Sequence, residues 1–247
     1  MKSVLFAILK STTCLMTIVG CGHAAVVPDR TRVIFNERST SVSLVLSNQS
    51  KALPYLAQSW IEDATGRKNR NFIIALPPLL RLEPTEQTQV RLAKQPSLNQ
   101  LPRDRESLFY YNVREVPPKA DKPNTMQIAM QSKINIFYRP KAIEIKTGEV
   151  LPFDKVIVER TNEGLNFSNN TPYYITLGYI GMDGKSLFPQ SESVMLSPFS
   201  KGGAKVKNLP AKFKIGYIGD YGGLTLFSVN CNSVQRQCAQ AAIERGK

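Results

Sequence analysis

At 247 residues and 42% hydrophobic content the chain can bury the core of one large or two ordinary domains, and a formal net charge of +13 makes it strongly basic. The basic residues are scattered among strand-like segments, with no basic arm, zinc-ligand spacing or RNA-binding motif, so the charge points to an acidic or carboxylate-bearing partner and to no nucleic acid. The single histidine, His23, lies in the N-terminal leader, and there is no P-loop or G-x-G-x-x-G; histidine-based triads and zinc sites are excluded from the mature chain, and no metal, cofactor or enzymatic activity is expected.

Residues 1–24 read as a secretory signal: Lys2 opens it, Val4 to Val19 is mostly apolar with Lys10 interrupting, and Gly22-His23-Ala24 leads to a cleavage point. Cleavage leaves 247 − 24 = 223 residues beginning near Ala25 and, since Lys2 and Lys10 are the leader's only charges, a net charge of 13 − 2 = +11. Lys10 breaks the apolar run too early for the roughly 20 residues a membrane-spanning helix needs, and no later segment comes close. A rival reading takes Ile18-Val19-Gly20-Cys21 as a lipoprotein box with Cys21 lipidated.

Beyond the leader the hydrophobic period is two. Val42, Leu44 and Leu46 alternate with Ser43, Val45 and Ser47, and Val90 and Leu92 with Gln89 and Arg91, as half-buried strands do. Leu56 to Ile61 forms a strand whose Trp60 is expected in the core, and Glu62-Asp63 reads as part of a solvated turn before Gly66. The run Leu101 to Pro118 joins a charged corner (Arg103, Asp104, Arg105, Glu106) to an aromatic strand, Leu108 to Val116, which Pro117-Pro118 must end because neither proline can donate to a ladder. Asn124 to Ile136 follows as another strand, with Met126, Ile128 and Met130 on one face; the pattern alone would suit an ordinary core strand.

A joint is expected after Phe137-Tyr138-Arg139-Pro140, and Asn170-Thr171-Pro172-Tyr173-Tyr174 opens a strand beyond it. Frequent turn signals with short strands indicate β-sandwiches of about 100 residues each. The chain therefore reads as all-β: a signal peptide (1–24), an N-terminal immunoglobulin-like domain (25–140) and a C-terminal one (141–247). Cys231 and Cys238, the only cysteines outside the leader, are expected to form a local disulfide closing a hairpin; a redox pair would want C-x-x-C spacing and an electropositive helix start.

The order of residues in Leu101 to Pro118 closely resembles the signature of the periplasmic pilus-assembly chaperones. The similarity extends to Ala25 to Arg32 (AVVPDRTR), Leu53 to Ile61 (LPYLAQSWI), Gln127 to Pro140, the NNTPYY segment, Met195 to Pro198 and Gly219 to Gly223 (GDYGG). That resemblance implies two immunoglobulin-like domains set as a boomerang, a pilin subunit in the cleft, and delivery to an outer-membrane usher from the periplasm. The subunit lacks a strand, and the chaperone lends one, here Asn124 to Ile136 with Met126, Ile128 and Met130 filling the subunit's groove.

Residue by residue, Arg32 matches the family's anchor for the subunit's terminal carboxylate. The family's partner lysine falls on Asn135, a departure; Lys133, two residues earlier and about 6.6 Å away along the same strand face, could take over, or Arg32 could act alone with Asn135 donating a neutral hydrogen bond. Glu106, Arg139 and Asp220 match the interdomain ionic cluster, read as surface ion pairs that orient more than they stabilise. The short loop 117–123 resembles the short-loop branch that builds rod-like pili. The competing class is an exported two-domain immunoglobulin-like adhesin or binding lipoprotein, which would share the fold and lack the carboxylate anchor.

Overall fold

The structure, a computed structural model, describes residues 24–120, 122–146, 148–182, 184–187, 193–231 and 237–242. The leader up to residue 23, with His23 and the Cys21 lipoprotein box, lies outside the described residues. Among those residues no helix is long and apolar enough to cross a membrane.

The first half carries β1 (Val26–Pro28), β2 (Arg32–Asn36), β3 (Ser41–Asn48), β4 (Tyr55–Asp63), β5 (Ile73–Leu76), β6 (Leu79–Leu82), β7 (Gln87–Lys94), β8 (Ser107–Val116) and β9 (Gln131–Arg139). They form a four-stranded sheet, β1-β3-β7-β5, and a five-stranded sheet, β2-β9-β8-β4-β6, in which β2 and β9 run parallel. Alternating residues of the two sheets meet in one core: Leu44 and Leu46 from β3, Val90 and Leu92 from β7, Tyr111 and Val113 from β8, and Ile134 and Ile136 from β9. The second half carries β10 (Val156–Thr161), β11 (Gly164–Asn169), β12 (Ile175–Met182), β13 (Lys185–Ser186), β14 (Val194–Leu196), β15 (Lys201–Lys205), β16 (Lys212–Ile218), β17 (Leu224–Asn230) and β18 (Ala239–Ala242). Its sheets are β10-β11-β15 and a six-stranded one built on β13-β12-β16-β17-β18, with β14 against β12. A second core, sharing no residue with the first, packs Phe153, Tyr217 and Phe227 ring to ring.

One buried asparagine fixes a loop in each half. Asn48 donates from Nδ2 to the carbonyls of Leu53, Leu82 and Glu83, and Asn169 donates to those of Tyr173 and Ser197 while its Oδ1 accepts from Thr171. Such bonds satisfy loop backbone groups that burial would otherwise strand. The second of them sets the path of Thr171 to Tyr174 over the first half. Cys231 and Cys238 are bonded, joining the ends of β17 and β18, whose register pairs Asn230 with Ala239, so the expected hairpin staple is present.

The structure corrects three expectations. Trp60 is not core: Ala57, Ser59 and Ile61 point inward, while Trp60 lies on the outer face between Lys68 and Arg114, 4.8 and 5.5 Å from its ring. Glu62 and Asp63 close β4 before a turn, and Glu62 is ion-paired. The strand expected over Asn124 to Ile136 begins at Gln131, because its neighbour β8 stops at Val116, where Pro117-Pro118 ends the ladder; Glu115 N–H still reaches Met130 O at 3.0 Å. Upstream, Met126 and Ile128 are 88% and 72% exposed, and Met130 39%, so this segment is not core in the free chain.

Candidate functional site

Period two sorts β9 into two faces. Ile134, Ile136 and Tyr138 enter the first core, and Lys133, Asn135, Phe137 and Arg139 take the other side. That second face runs from an exposed Lys133 to a fully buried Arg139 where the two halves meet. Register sets Glu62, Tyr110, Asn135 and Arg32 in one row across β4, β8, β9 and β2.

At the buried end Arg139 gathers its partners. Its Nε donates to Glu106 Oε1 at 2.8 Å, and Nη1 and Nη2 donate to the two oxygens of Asp220 at 2.6 and 2.9 Å, a bidentate fork. Glu106 also accepts from Tyr174 N–H at 2.7 Å, and its own N–H donates to Pro172 O at 2.9 Å. The expected trio is thus assembled, but buried rather than solvated, with Arg139 and Glu106 each 3% exposed. Burial, the largest influence, raises the Glu106 carboxyl to about 7 against the opposing pull of Arg139 and the Tyr174 N–H. Arg139 is held charged by both carboxylates against its own desolvation.

Arg32 sits beside this cluster and is built differently. It is 6% exposed; Nη1 donates to Ile218 O at 2.8 Å, and the guanidinium lies 5.7 Å from the Phe137 ring, which in turn stacks on Tyr174. Its Nε has no hydrogen-bond partner, and among the described residues no carboxylate lies within ion-pair distance of it. Burial lowers its pKa, partly offset by Asp220 and Glu106. The Ile218 to Leu224 turn is seated here: Gly222 adopts φ 81°, and a side chain on it would come within 3.1 Å of Thr31 Oγ1.

Asn135, register partner of Arg32, directs Nδ2 to Met195 Sδ at 3.8 Å. Lys133 shares the face, but its ammonium is engaged: it donates to Glu62 Oε2 at 2.8 Å and lies 4.1 Å from the Tyr110 ring. Burial raises the Glu62 carboxyl, yet bonds from Lys133 and Trp60 outweigh it and hold the group below its ordinary value. Sequence reasoning missed Glu62, Tyr174, Ile218 and Met195. Glu62 meets Lys133 only through the register of β4, β8 and β9, which the sequence does not display; Ile218, and Tyr174 toward Glu106, act through backbone groups, which leave no side-chain signature.

Two immunoglobulin-like sandwiches, with an exposed apolar segment running into an inner strand and a buried arginine whose Nε has no partner, place the chain among two-domain immunoglobulin-like β-sandwich proteins. Residues 25–144 match the family described as pili and flagellar-assembly chaperone, PapD N-terminal domain, and residues 152–226 match the pili assembly chaperone PapD, C-terminal domain. The uncharacterized fimbrial chaperone YqiH of Escherichia coli K12 is 51% identical over 215 residues, 87% of this chain and 86% of that one. Chaperone protein PapD of Escherichia coli is 44% identical over 217 residues, 87% and 90% of the two chains. The crystal structure of the periplasmic chaperone SfaE superposes with a TM-score of 0.66 at 33% identity, covering 83% of this chain and 98% of that one. The chain belongs to the PapD-type pilus-assembly chaperone family.

Proposed function

We propose that this protein, exported to the periplasm by its leader and divided into its domains at Pro140, binds pilin subunits by lending them a strand and delivers them to an outer-membrane usher. The observation that carries this reading is the alternation of exposed Met126, Ile128 and Met130 on a segment that feeds directly into β9, whose face holds Asn135 and, across the register, Arg32. An incomplete sandwich exposes an unpaired edge and an apolar groove. Extending β9 upstream along such an edge supplies the missing backbone bonds, and the three side chains enter the groove. Methionine's flexible thioether suits grooves of differing shape.

The anchor for the subunit's terminal carboxylate is Arg32, the buried cation with donors to spare, assisted by the Asn135 amide. Lys133 is a weaker candidate, because it would have to leave Glu62. Glu106, Arg139 and Asp220 hold the interdomain angle that keeps Arg32 at the cleft. Co-expression with a cognate pilin tests this: the chain should bring the subunit into a soluble stoichiometric complex, and Ile128→Asp should abolish it. A subunit that aggregates equally with and without the chain overturns the proposal.

A further inference from the structure

Glu115 is a buried carboxylate, 5% exposed, at the last inward position of β8. One oxygen accepts from Val26 N–H at 2.9 Å, and among the described residues no cation lies within ion-pair distance of it. An ionised carboxylate in such a place ordinarily has a positive partner, since a lone buried charge is strongly disfavoured. The residue before Val26 is Ala25, where the leader is expected to be cut. Ala25 is itself pinned, its carbonyl accepting from Gln49 N–H at 2.6 Å, so its nitrogen lies one residue, about 3.5 Å of chain, from the atom Glu115 already holds.

We propose that Glu115 is the docking site for the α-ammonium that signal cleavage creates at Ala25. Before cleavage that nitrogen is a neutral amide; afterwards it is a cation within reach of the carboxylate. The pairing fastens β1 to β8 at the point where Glu115 N–H meets Met130 O, the place where the ladder ends and the exposed methionine segment begins. Removal of the leader would thus complete the edge from which the lent strand departs. The inference rests on export of the chain, and only its charge pairing is new.

The test compares purified chain beginning at Ala25 with chain carrying one extra glycine before it, each with Glu115 and with Glu115→Gln, by thermal unfolding. The extra residue should lower the midpoint by about 2–4 °C with Glu115 present and leave it unchanged with Gln. Equal loss in both backgrounds overturns the inference. Should Glu115→Gln not fold, NMR titration of the isotopically methylated α-amine decides: its pKa in the chain beginning at Ala25 should lie above that of the same methylated group in the chain with the extra glycine, and equal values overturn the proposal. Mass spectrometry of exported protein supplies a further check, because a mature start at Cys21 removes the ammonium and ends the inference, while binding of pilin subunits, measured separately, judges the chaperone reading on its own.

Discussion

Arg139 and Arg32 are neighbours in the same sheet, almost equally buried, and opposite in chemistry. Arg139 meets two carboxylates and leaves none of its ionic demand open; Arg32 has one backbone carbonyl, an aromatic ring and an unpaired Nε. A buried cation that is fully paired within the chain can serve structure, whereas one held beside that cluster without its own anion still has donors that an anion from outside could accept from. On the proposed reading the pair separates the interdomain cluster from the anchor, and substitution should pull their effects apart.

The largest effect is expected from Arg139→Ala. It leaves Glu106 buried without its cation and Asp220 unpaired, and breaking a buried pair from one side costs about 3–5 kcal/mol. Urea unfolding measures it, and a loss under 1 kcal/mol would make the cluster no more than the surface pairing that the sequence suggested. Arg32→Ala should reverse the pattern, with little change in unfolding and a loss in subunit affinity of about 1.5–3 kcal/mol for each charge-assisted bond removed, roughly 10-fold or more. Titration with a peptide carrying the subunit's C-terminal sequence, as free acid and as amide, reads this directly. If the wild type does not distinguish acid from amide, Arg32 is not the anchor.

Acidity probes the Arg139 cluster from its other side. Glu106 has its carboxyl raised from 4.5 to about 7. Between those values the folded protein holds a proton that the unfolded chain releases, so this contribution is full below about 4.5 and is lost as pH rises through about 7. Stability should therefore fall between pH 5 and 7.5 by up to about 1.4 kcal/mol per pH unit, and Glu106→Gln should remove that slope. A slope that survives the substitution belongs to other groups.

Arg32, Glu106, Arg139 and Asp220 stand out in the sequence as candidates, but their environments do not. Glu106, Arg139 and Asp220 are separated widely in the chain, and three charges in a sequence look like solvated surface until Thr171 to Tyr174, steered by Asn169, covers them. The alternation of Met126, Ile128 and Met130 was plain, yet the point where pairing stops depends on the neighbouring strand and its two prolines. Trp60 was misplaced because tryptophan suggests a core; the phase of Ala57, Ser59 and Ile61 on the same strand already put it on the opposite face. Lys133 was weighed without Glu62, which lies 71 positions away in the sequence and meets it only through the register of β4, β8 and β9.

That last contact sets the smallest expected effect. Lys133 and Arg32 both carry charge toward the same face, but Lys133 is partly exposed and already paired to a carboxylate of its own chain. Recruiting it to a subunit would exchange one ion pair for another at a site where such pairs contribute about 0–1 kcal/mol, so Lys133→Ala should change subunit affinity by less than about fivefold. Asn135→Lys differs, since it sets a second, unpaired cation in register with Arg32 and should tighten binding of the free-acid peptide while leaving the amide unaffected. Should Lys133→Ala instead match Arg32→Ala in its loss, the Glu62 pair must open on binding, and the division between a paired and an unpaired cation would apply only to the free chain.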